Sequence, residues 1–162
     1  MNKYASHVFV IPEDDCDRQL VNGFADHPRV LAPRIQVMPP PGGWSVVRQT
    51  FEMEYIPRLR QYLLGHVIMV IDFDGVYTER RTEFEKVIPD DLRQRVFVIG
   101  ARQTPEKLKL ELGKTYEQIG MSLAEDCHAG TELVWSHEHL KHNDPDRNRL
   151  IEIVKPFLLG IE

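Results

Sequence analysis

The sequence has few cysteines, no long apolar segment and no excess of basic residues. Cys16 and Cys127 are its only cysteines, so no disulfide framework supports the fold and we expect a reducing, cytoplasmic location. No apolar run approaches the roughly 20 residues that span a bilayer, which predicts that the chain does not enter a membrane. The first seven residues lead into a strand-like run and lack the apolar core of a signal peptide.

The balance of charge also limits the class of function. The 162 residues include 20 Lys and Arg against 25 Asp and Glu, which gives a net charge of −5. Such a chain exerts no global attraction on nucleic acid, so any contact needs a local basic patch, a partner protein or a bound metal ion. With 42% apolar and 28% charged residues the composition is ordinary for a globular domain, and a chain of this length buries a sizeable core.

Short apolar runs alternate with amphipathic segments, which predicts an α/β fold with a mostly parallel sheet flanked by helices. The predicted strands are 7–11, 34–38, 66–71 and 95–100, and the predicted helices are 16–25, 44–64, 78–87, 104–112, 115–126, 132–140 and 147–158. We expect a single domain over 1–162, with its sheet in a core over 7–100 and a mainly helical extension over 101–162. Pro57 is expected to disturb the second helix.

Two carboxylates one residue apart end the most apolar of these runs, in the order Asp72-Phe73-Asp74-Gly75. In a strand, side chains at i and i+2 share a face, so Asp72 and Asp74 are expected to converge at the carboxyl end of the strand. Open α/β sheets bind their ligands at that end. Two carboxylates there repel each other unless a cation or a proton lies between them. The pair therefore predicts a divalent metal site for Mg²⁺, or for Mn²⁺ in its place, because these ions prefer oxygen ligands.

A second acidic group follows the first predicted strand. Glu13 and Asp17 are four positions apart, which places them on one side of a helix start. If the first and third strands are neighbours, Glu13, Asp17, Asp72 and Asp74 all lie at one edge of the sheet. The alternative is that the acidic run only caps the helix in solvent, since the helix dipole is positive at its N-terminus.

Together these two groups resemble the acidic site of the Toprim domain. That Rossmann-like family includes topoisomerases, bacterial primases, recombination mediators and OLD-type nucleases. Segment 10–17 matches the spacing of the family's apolar-Glu-Gly-x-x-Asp pattern, and the Asp72 and Asp74 pair follows in the family's order. Asp14 stands where the family usually has glycine. The resemblance covers about residues 7–100.

The resemblance implies metal-dependent phosphoryl transfer on nucleic acid, as in a nuclease. Carried over to this chain, Glu13 is the general acid or base and Asp72 and Asp74 hold Mg²⁺, while Asp17 holds a second ion. Small domains of this family often serve as one part of a larger machine. The implied partners are therefore nucleic acid together with an ATPase protein, or a second copy of the chain in a homodimer.

Two alternatives remain open. Residues 71–78 also resemble motif I of the haloacid dehalogenase-like phosphatases, an apolar strand followed by Asp-x-Asp-Gly-Val-x-Thr. In that reading Asp72 is the nucleophile and Asp74 the general acid or base. The motif normally lies on the first strand and needs Ser/Thr, Lys and acidic residues at later strand ends, where this chain has one predicted strand left. The other alternative is a non-catalytic α/β interaction module of a multi-protein system.

The histidines near the C-terminal end form a weaker candidate. His137, His139 and His142 are close in sequence, but Lys141 occupies the position where the His-Glu-x-x-His zinc motif needs its second histidine. The pattern favours a surface helix that buries Trp135.

Overall fold

Four parallel β-strands form the centre of the protein, and helices cover both faces of the sheet. The computed structural model describes residues 2–160, so residues 1, 161 and 162 of the predicted domain lie outside the description. The strands are β1 (His7–Pro12), β2 (Ile35–Val37), β3 (Gly65–Val70) and β4 (Val96–Ile99), in the spatial order β2-β1-β3-β4. The predicted α/β fold with one parallel sheet is confirmed.

Helices follow each strand along the chain, and four of them lie after the last strand. The α-helices are α1 (Asp15–Ala25), α2 (Trp44–Thr50), α3 (Ile56–Gln61), α4 (Tyr77–Glu85), α5 (Pro105–Leu112), α6 (Tyr116–Ala129), α7 (Asp144–Ile153) and α8 (Lys155–Leu158). Short 3₁₀ segments occur at Ala32–Arg34, Asp90–Arg95 and Lys141–Asn143. The predicted helical character of the C-terminal region is confirmed.

The predicted disturbance at Pro57 takes the form of a π-helical turn. This turn, Phe51–Tyr55, joins α2 to α3, and the Ile56 N–H donates to the Phe51 carbonyl five residues back. Proline has no N–H to donate inside a helix, and one wider turn accommodates the missing bond. The helical path therefore continues from 44 to 61.

The sheet is buried on both faces, as expected for parallel strands. Because side chains alternate along a strand, Val8 and Val10 of β1 join one core while Phe9 and Ile11 join the other. The first core also contains residues of α1, α5, α6 and α8, and the second contains residues of α2, α3 and α4. The C-terminal helices therefore cover one face of the sheet and belong to the same core as the strands.

Helices α1 and α6 approach each other at the level of their backbones. A Cβ on Gly23 would lie 2.1 Å from the Glu117 carbonyl oxygen, and one on Gly120 would lie 1.9 Å from the Leu20 carbonyl oxygen. No side chain fits at these distances, so only glycine permits the contact. The contact holds α1, which carries Asp17, against the rest of the domain.

Residues 132–140 form successive turns, so the predicted helix there is wrong. The Asp126 carboxylate accepts hydrogen bonds from the Val134 and Trp135 N–H groups, at 2.7 and 3.3 Å, and from the Thr131 hydroxyl at 2.7 Å. The backbone bonds of the segment are of mixed spacing, with the Ser136 N–H bonded four residues back and the N–H groups of His137 and Leu140 bonded three residues back, so no regular helical ladder develops.

The predicted helix 147–158 is also interrupted. Helix α7 ends before Val154, and α8 starts at Lys155 with Pro156 in its first turn. A proline at that position cannot donate to a carbonyl four residues earlier, so one continuous helix does not form.

Candidate metal centre

The carboxyl ends of β1 and β3 lie side by side at the topological switch point of the sheet, where the chain leaves β1 for β2 on one side and returns to β3 on the other. The two strands pair in parallel register, His7–Pro12 with Gly65–Val70, and β2 and β4 lie on the outer sides. In open α/β sheets a crevice forms at such a switch point and receives the ligand. The expectation that the first and third strands are neighbours is confirmed, so the residues that follow them meet at one place.

Glu13 follows β1 and is fixed to the loop after β3. Its N–H donates to the Val70 carbonyl at 2.8 Å, and its Oε2 accepts the Asp72 N–H at 2.6 Å. Its carbonyl oxygen accepts hydrogen bonds from the N–H groups of Gly42 and Gly43, at 3.1 and 3.3 Å. Both the backbone and the buried side chain of Glu13 are therefore held in one orientation.

The start of α1 adds two carboxylates to this place. Asp14 is the N-cap, and its Oδ1 accepts the Asp17 N–H at 3.0 Å, which satisfies a free donor of the first helical turn. Asp17 itself is 1% exposed, and Asp72, two residues beyond β3, is 9% exposed. The idea of an acidic cap in solvent therefore does not describe Asp17.

Four carboxyl groups form a tight cluster at the ends of β1 and β3. One oxygen each of Glu13, Asp14, Asp17 and Asp72 lies within 4.8 Å of the others, the only such group of potential metal ligands among residues 2–160. Asp17 Oδ2 and Asp72 Oδ1 are buried and have no hydrogen-bond partner in that part of the chain. A buried carboxylate oxygen without a partner is costly, so a proton or a cation is needed there.

The cluster raises the pKa values of its carboxyl groups. Burial is the largest cause for Asp72, and with the charge of Glu13 it brings the Asp72 pKa to about 8. Burial, followed by the charge of Asp72, holds the Asp17 pKa well above its usual range. Burial also raises the Glu13 pKa, although the Asp72 N–H opposes the rise. A divalent cation would replace the protons that these pKa values retain, so cation binding would release protons.

Asp74, the fourth acid of the sequence prediction, lies outside the cluster. Because β3 ends at Val70, the chain is no longer extended at Asp74, which has a φ of 51° and precedes Gly75 at 76°. The Asp74 side chain is 47% exposed and forms an ion pair with Arg80, Oδ2 to Nη1 at 3.0 Å. The structure thus brings Glu13, Asp17 and Asp72 together. Asp74, which was also predicted as a metal ligand, is not part of this group.

Two residues of the site were not among those that the sequence predicted for the metal centre. Asp14 belongs to the cluster, and its place in the acidic run after β1 was a usable signal. Arg80 donates from Nη1 to the Asp72 carbonyl at 2.8 Å, and its guanidinium lies 4.4 Å from the centre of the Trp44 ring. No sequence pattern links Arg80 to Trp44, because they come from different helices.

The donor set fits a hard divalent cation. All four ligand groups of the cluster are carboxylates, which suit Mg²⁺, Mn²⁺ or Ca²⁺ and contain none of the Cys or His ligands that zinc favours. The two unpartnered oxygens, on Asp17 and Asp72, are the acceptors that such an ion would satisfy. The cluster is therefore a largely buried group of oxygen ligands that could hold such an ion.

The histidine candidate forms a different arrangement. Glu111 Oε2 lies 3.0 Å from His139 Nε2 and 3.3 Å from His137 Nε2. His137 Nδ1 accepts the His139 N–H at 3.1 Å, so the neutral His137 ring carries its proton on Nε2. That proton faces Glu111, whereas the Nδ1 and Nε2 atoms of His139 have no hydrogen-bond partner within residues 2–160.

Comparison of the chain with protein-family models, with curated proteins and with solved structures finds no match. Within residues 2–160, none of the helices combines the length and the apolar character that crossing a membrane requires. The geometry of the acidic cluster is therefore the basis for a functional conclusion.

Proposed function

We propose that this protein is a Mg²⁺- or Mn²⁺-dependent phosphoryl-transfer enzyme that cleaves nucleic acid. One observation carries the proposal: a four-carboxylate cluster with two unpartnered, buried oxygens lies at the switch point of a parallel sheet. Structural carboxylates normally have hydrogen-bond donors around them. A cluster in which two buried oxygens lack such donors is suited to hold a divalent ion.

Each acid of the cluster has a distinct role in this proposal. Asp17 and Asp72 hold the ion through their unpartnered oxygens, and Asp14 adds a third ligand from the helix cap. Glu13 is the general acid or base, because the Asp72 N–H fixes Oε2 while the raised pKa favours proton exchange at the carboxyl group. When bound, the divalent ion supplies positive charge to the phosphate in the transition state. The Asp74 pair with Arg80 would have to open before Asp74 could join the ligands.

The resemblance to the Toprim domain supports the same reaction class. Glu13 and Asp17 follow the first strand with the family's spacing, and Asp72 follows a neighbouring strand. With a net charge of −5, nucleic acid binding is assigned to an ATPase partner or to a homodimer that adds basic surface. A cytoplasmic location belongs to the same proposal.

The first test measures ion binding by its effect on folding. We expect Mn²⁺ or Mg²⁺ at a hundredfold excess over its Kd to raise the free energy of unfolding of the wild type by about 2.7 kcal/mol. Asp72→Asn should lose this response because it removes a ligand charge. Asp15→Asn is the matched control, since Asp15 lies on the same helix start but is exposed and outside the cluster. A wild type whose stability ignores both ions contradicts the proposal.

The second test measures the reaction. Metal-dependent cleavage of single-stranded, duplex or supercoiled nucleic acid by wild type and Asp15→Asn, but not by Asp72→Asn or Glu13→Gln, would support the proposal. Hydrolysis of a small phosphomonoester in place of nucleic acid would overturn it in favour of the phosphatase alternative with Asp72 as nucleophile. Ion binding with neither reaction would overturn it in favour of a non-catalytic module.

A further inference from the structure

Arg80 is the basic residue next to the acidic cluster. Its Nη1 group and one face of its guanidinium already contact other residues. Its Nη1 donates to the Asp72 carbonyl at 2.8 Å and to Asp74 Oδ2 at 3.0 Å. Its guanidinium lies over Trp44, 4.4 Å from the ring centre, a distance at which cation–π attraction holds the group in place. Within residues 2–160, no other basic side chain bonds to Asp74 or to the four-carboxylate cluster.

The remaining edge of the Arg80 guanidinium is available. Both hydrogen bonds come from Nη1, and Nε and Nη2 donate to no other group in the described part of the chain. Nε and Nη2 form one edge of the planar group, with two parallel N–H bonds that match two oxygens of a phosphate. The side chain is 11% exposed, so this edge is partly desolvated, which strengthens a charged hydrogen bond.

A phosphate at this site needs such a group. Four carboxylates around one divalent ion leave an excess of negative charge, and that charge repels an approaching phosphate. If Arg80 only connected the loop after β3 to α4, the two hydrogen bonds from its Nη1 would be sufficient.

We propose that Arg80 binds the phosphate group of the substrate through its Nε–Nη2 edge, beside the ion held by the cluster. This inference rests on the proposed function and names the group that the site recognises: two non-bridging oxygens of a phosphate ester. Trp44 positions the plane of the guanidinium and does not contact the substrate.

Titration calorimetry with Mn²⁺ alone, and then with inorganic phosphate on the Mn²⁺-saturated protein, tests this role. For Arg80→Gln we expect a loss of phosphate affinity of at least tenfold and a Mn²⁺ affinity that stays the same or rises, because a positive charge near the ion is gone. Arg80→Lys keeps the charge without the two parallel donors and should show an intermediate loss. Arg48→Gln is the matched control, since Arg48 also lies near Trp44, at 5.8 Å, but pairs with Glu83.

The outcomes separate this inference from the proposed function. Phosphate binding that is unchanged in Arg80→Gln, while Mn²⁺ still binds, overturns the role of Arg80 alone. An equal loss of Mn²⁺ and phosphate affinity in Arg80→Gln also overturns it, because that pattern means that Arg80 only supports the loop. Absence of Mn²⁺ binding in the wild type overturns both proposals. If Arg80→Gln does not fold, the comparison of Arg80→Lys with Arg48→Gln decides.

Discussion

Buried carboxylates occur in two regions of this protein, and their surroundings differ. Asp146 of α7 is 2% exposed, and its oxygens accept hydrogen bonds from the guanidinium groups of Arg81 and Arg149 and from a backbone N–H of β4. Asp17 is buried to the same degree. Yet its Oδ2, like Oδ1 of Asp72, accepts no hydrogen bond within residues 2–160.

Asp126 follows the pattern of Asp146. Burial opposes its ionisation, but hydrogen bonds from Thr131, Val134 and Trp135 outweigh burial and lower the Asp126 pKa. In the acidic cluster burial acts in the same direction. The Asp17 carboxyl opposes it at Asp72, but burial and the neighbouring charges prevail, so the pKa values of Asp17 and Asp72 rise. Burial therefore does not by itself mark a functional carboxylate. The supply of donors around it separates a structural group from one that is open to a cation.

The largest loss of stability is expected at Asp146, because its hydrogen-bond donors would be left without an acceptor. Asp146→Ala leaves Arg81, Arg149 and the Val98 N–H without their acceptor, so we expect it to lower the free energy of unfolding by about 3–5 kcal/mol. Urea unfolding measures this loss. Glu152→Ala on the same helix, at an exposed carboxylate, should stay within about 0.5 kcal/mol of wild type. An Asp146→Ala variant as stable as this control would mean that the hydrogen bonds to Asp146 do not stabilise the fold.

Asp126→Asn should destabilise by about 2 kcal/mol. The amide can keep its oxygen on the N–H groups of Val134 and Trp135 and turn its nitrogen to the Thr131 hydroxyl, but these bonds then lose the charge of the acceptor, and hydrogen bonds to a charged group are the stronger ones. Urea unfolding again provides the measurement, with the exposed Glu117→Gln on the same helix as control. Equal stability of the two variants would mean that these hydrogen bonds do not matter.

The pH dependence of stability separates the two regions by sign. The folded-state pKa of Asp72, about 8, lies above its ordinary value of 3.8, so its contribution is present below about pH 4 and lost as pH rises through about 8. Without metal we expect a loss of about 1 kcal/mol between about pH 7 and pH 8. Mg²⁺ should remove that loss because it keeps the carboxylates ionised.

For Asp126, whose pKa is lowered, the sign is opposite: its contribution is present above its ordinary pKa and disappears as the pH falls through the folded-state value. Urea unfolding of wild type, Asp72→Asn and Asp126→Asn across this pH range checks both signs. A metal-free wild type that gains stability from about pH 7 to pH 8 would contradict the sign assigned to Asp72.

The smallest effect, and the one of opposite sign, is expected at Asp17. At about pH 8 without metal, Asp17→Asn should stabilise the fold by about 0.5–1 kcal/mol, because the amide is neutral without having to retain a proton and offers Asp72 a donor. The same variant should lose the response to Mg²⁺. Thermal or urea unfolding with and without the ion measures both effects. Destabilisation without metal would place Asp17 with Asp146 as a structural group.

The sequence pattern located most of the site because the relevant signals are local. Apolar runs followed by acids identified the ends of β1 and β3, and strand alternation with helices implied a parallel sheet. If β1 and β3 are neighbours, as the structure shows, these two facts place Glu13, Asp17 and Asp72 close together. The bond between Glu13 and the Asp72 N–H joins residues 59 positions apart, so no local pattern reports it.

The pattern failed where the chain leaves regular structure. The rule that i and i+2 share a face holds inside a strand, but β3 ends at Val70 and the turn at Asp74 and Gly75 directs Asp74 to Arg80. In the predicted helix 132–140, the Asp126 carboxylate of α6 binds the N–H groups of Val134 and Trp135, and the segment continues as separate turns. In both places the chain bonds to a partner from another element.

By itself, then, the sequence determined the class of fold, the order of its strands and of most of its helices along the chain, and the acids that follow β1 and β3. These depend on periodicity and on turn residues within a few positions of each other. The tertiary structure alone decided the strand order in the sheet, the place of Asp14 in the cluster and the pairing of Asp74 with Arg80. It also decided which buried carboxylates receive donors, because those donors come from side chains and N–H groups distant in sequence.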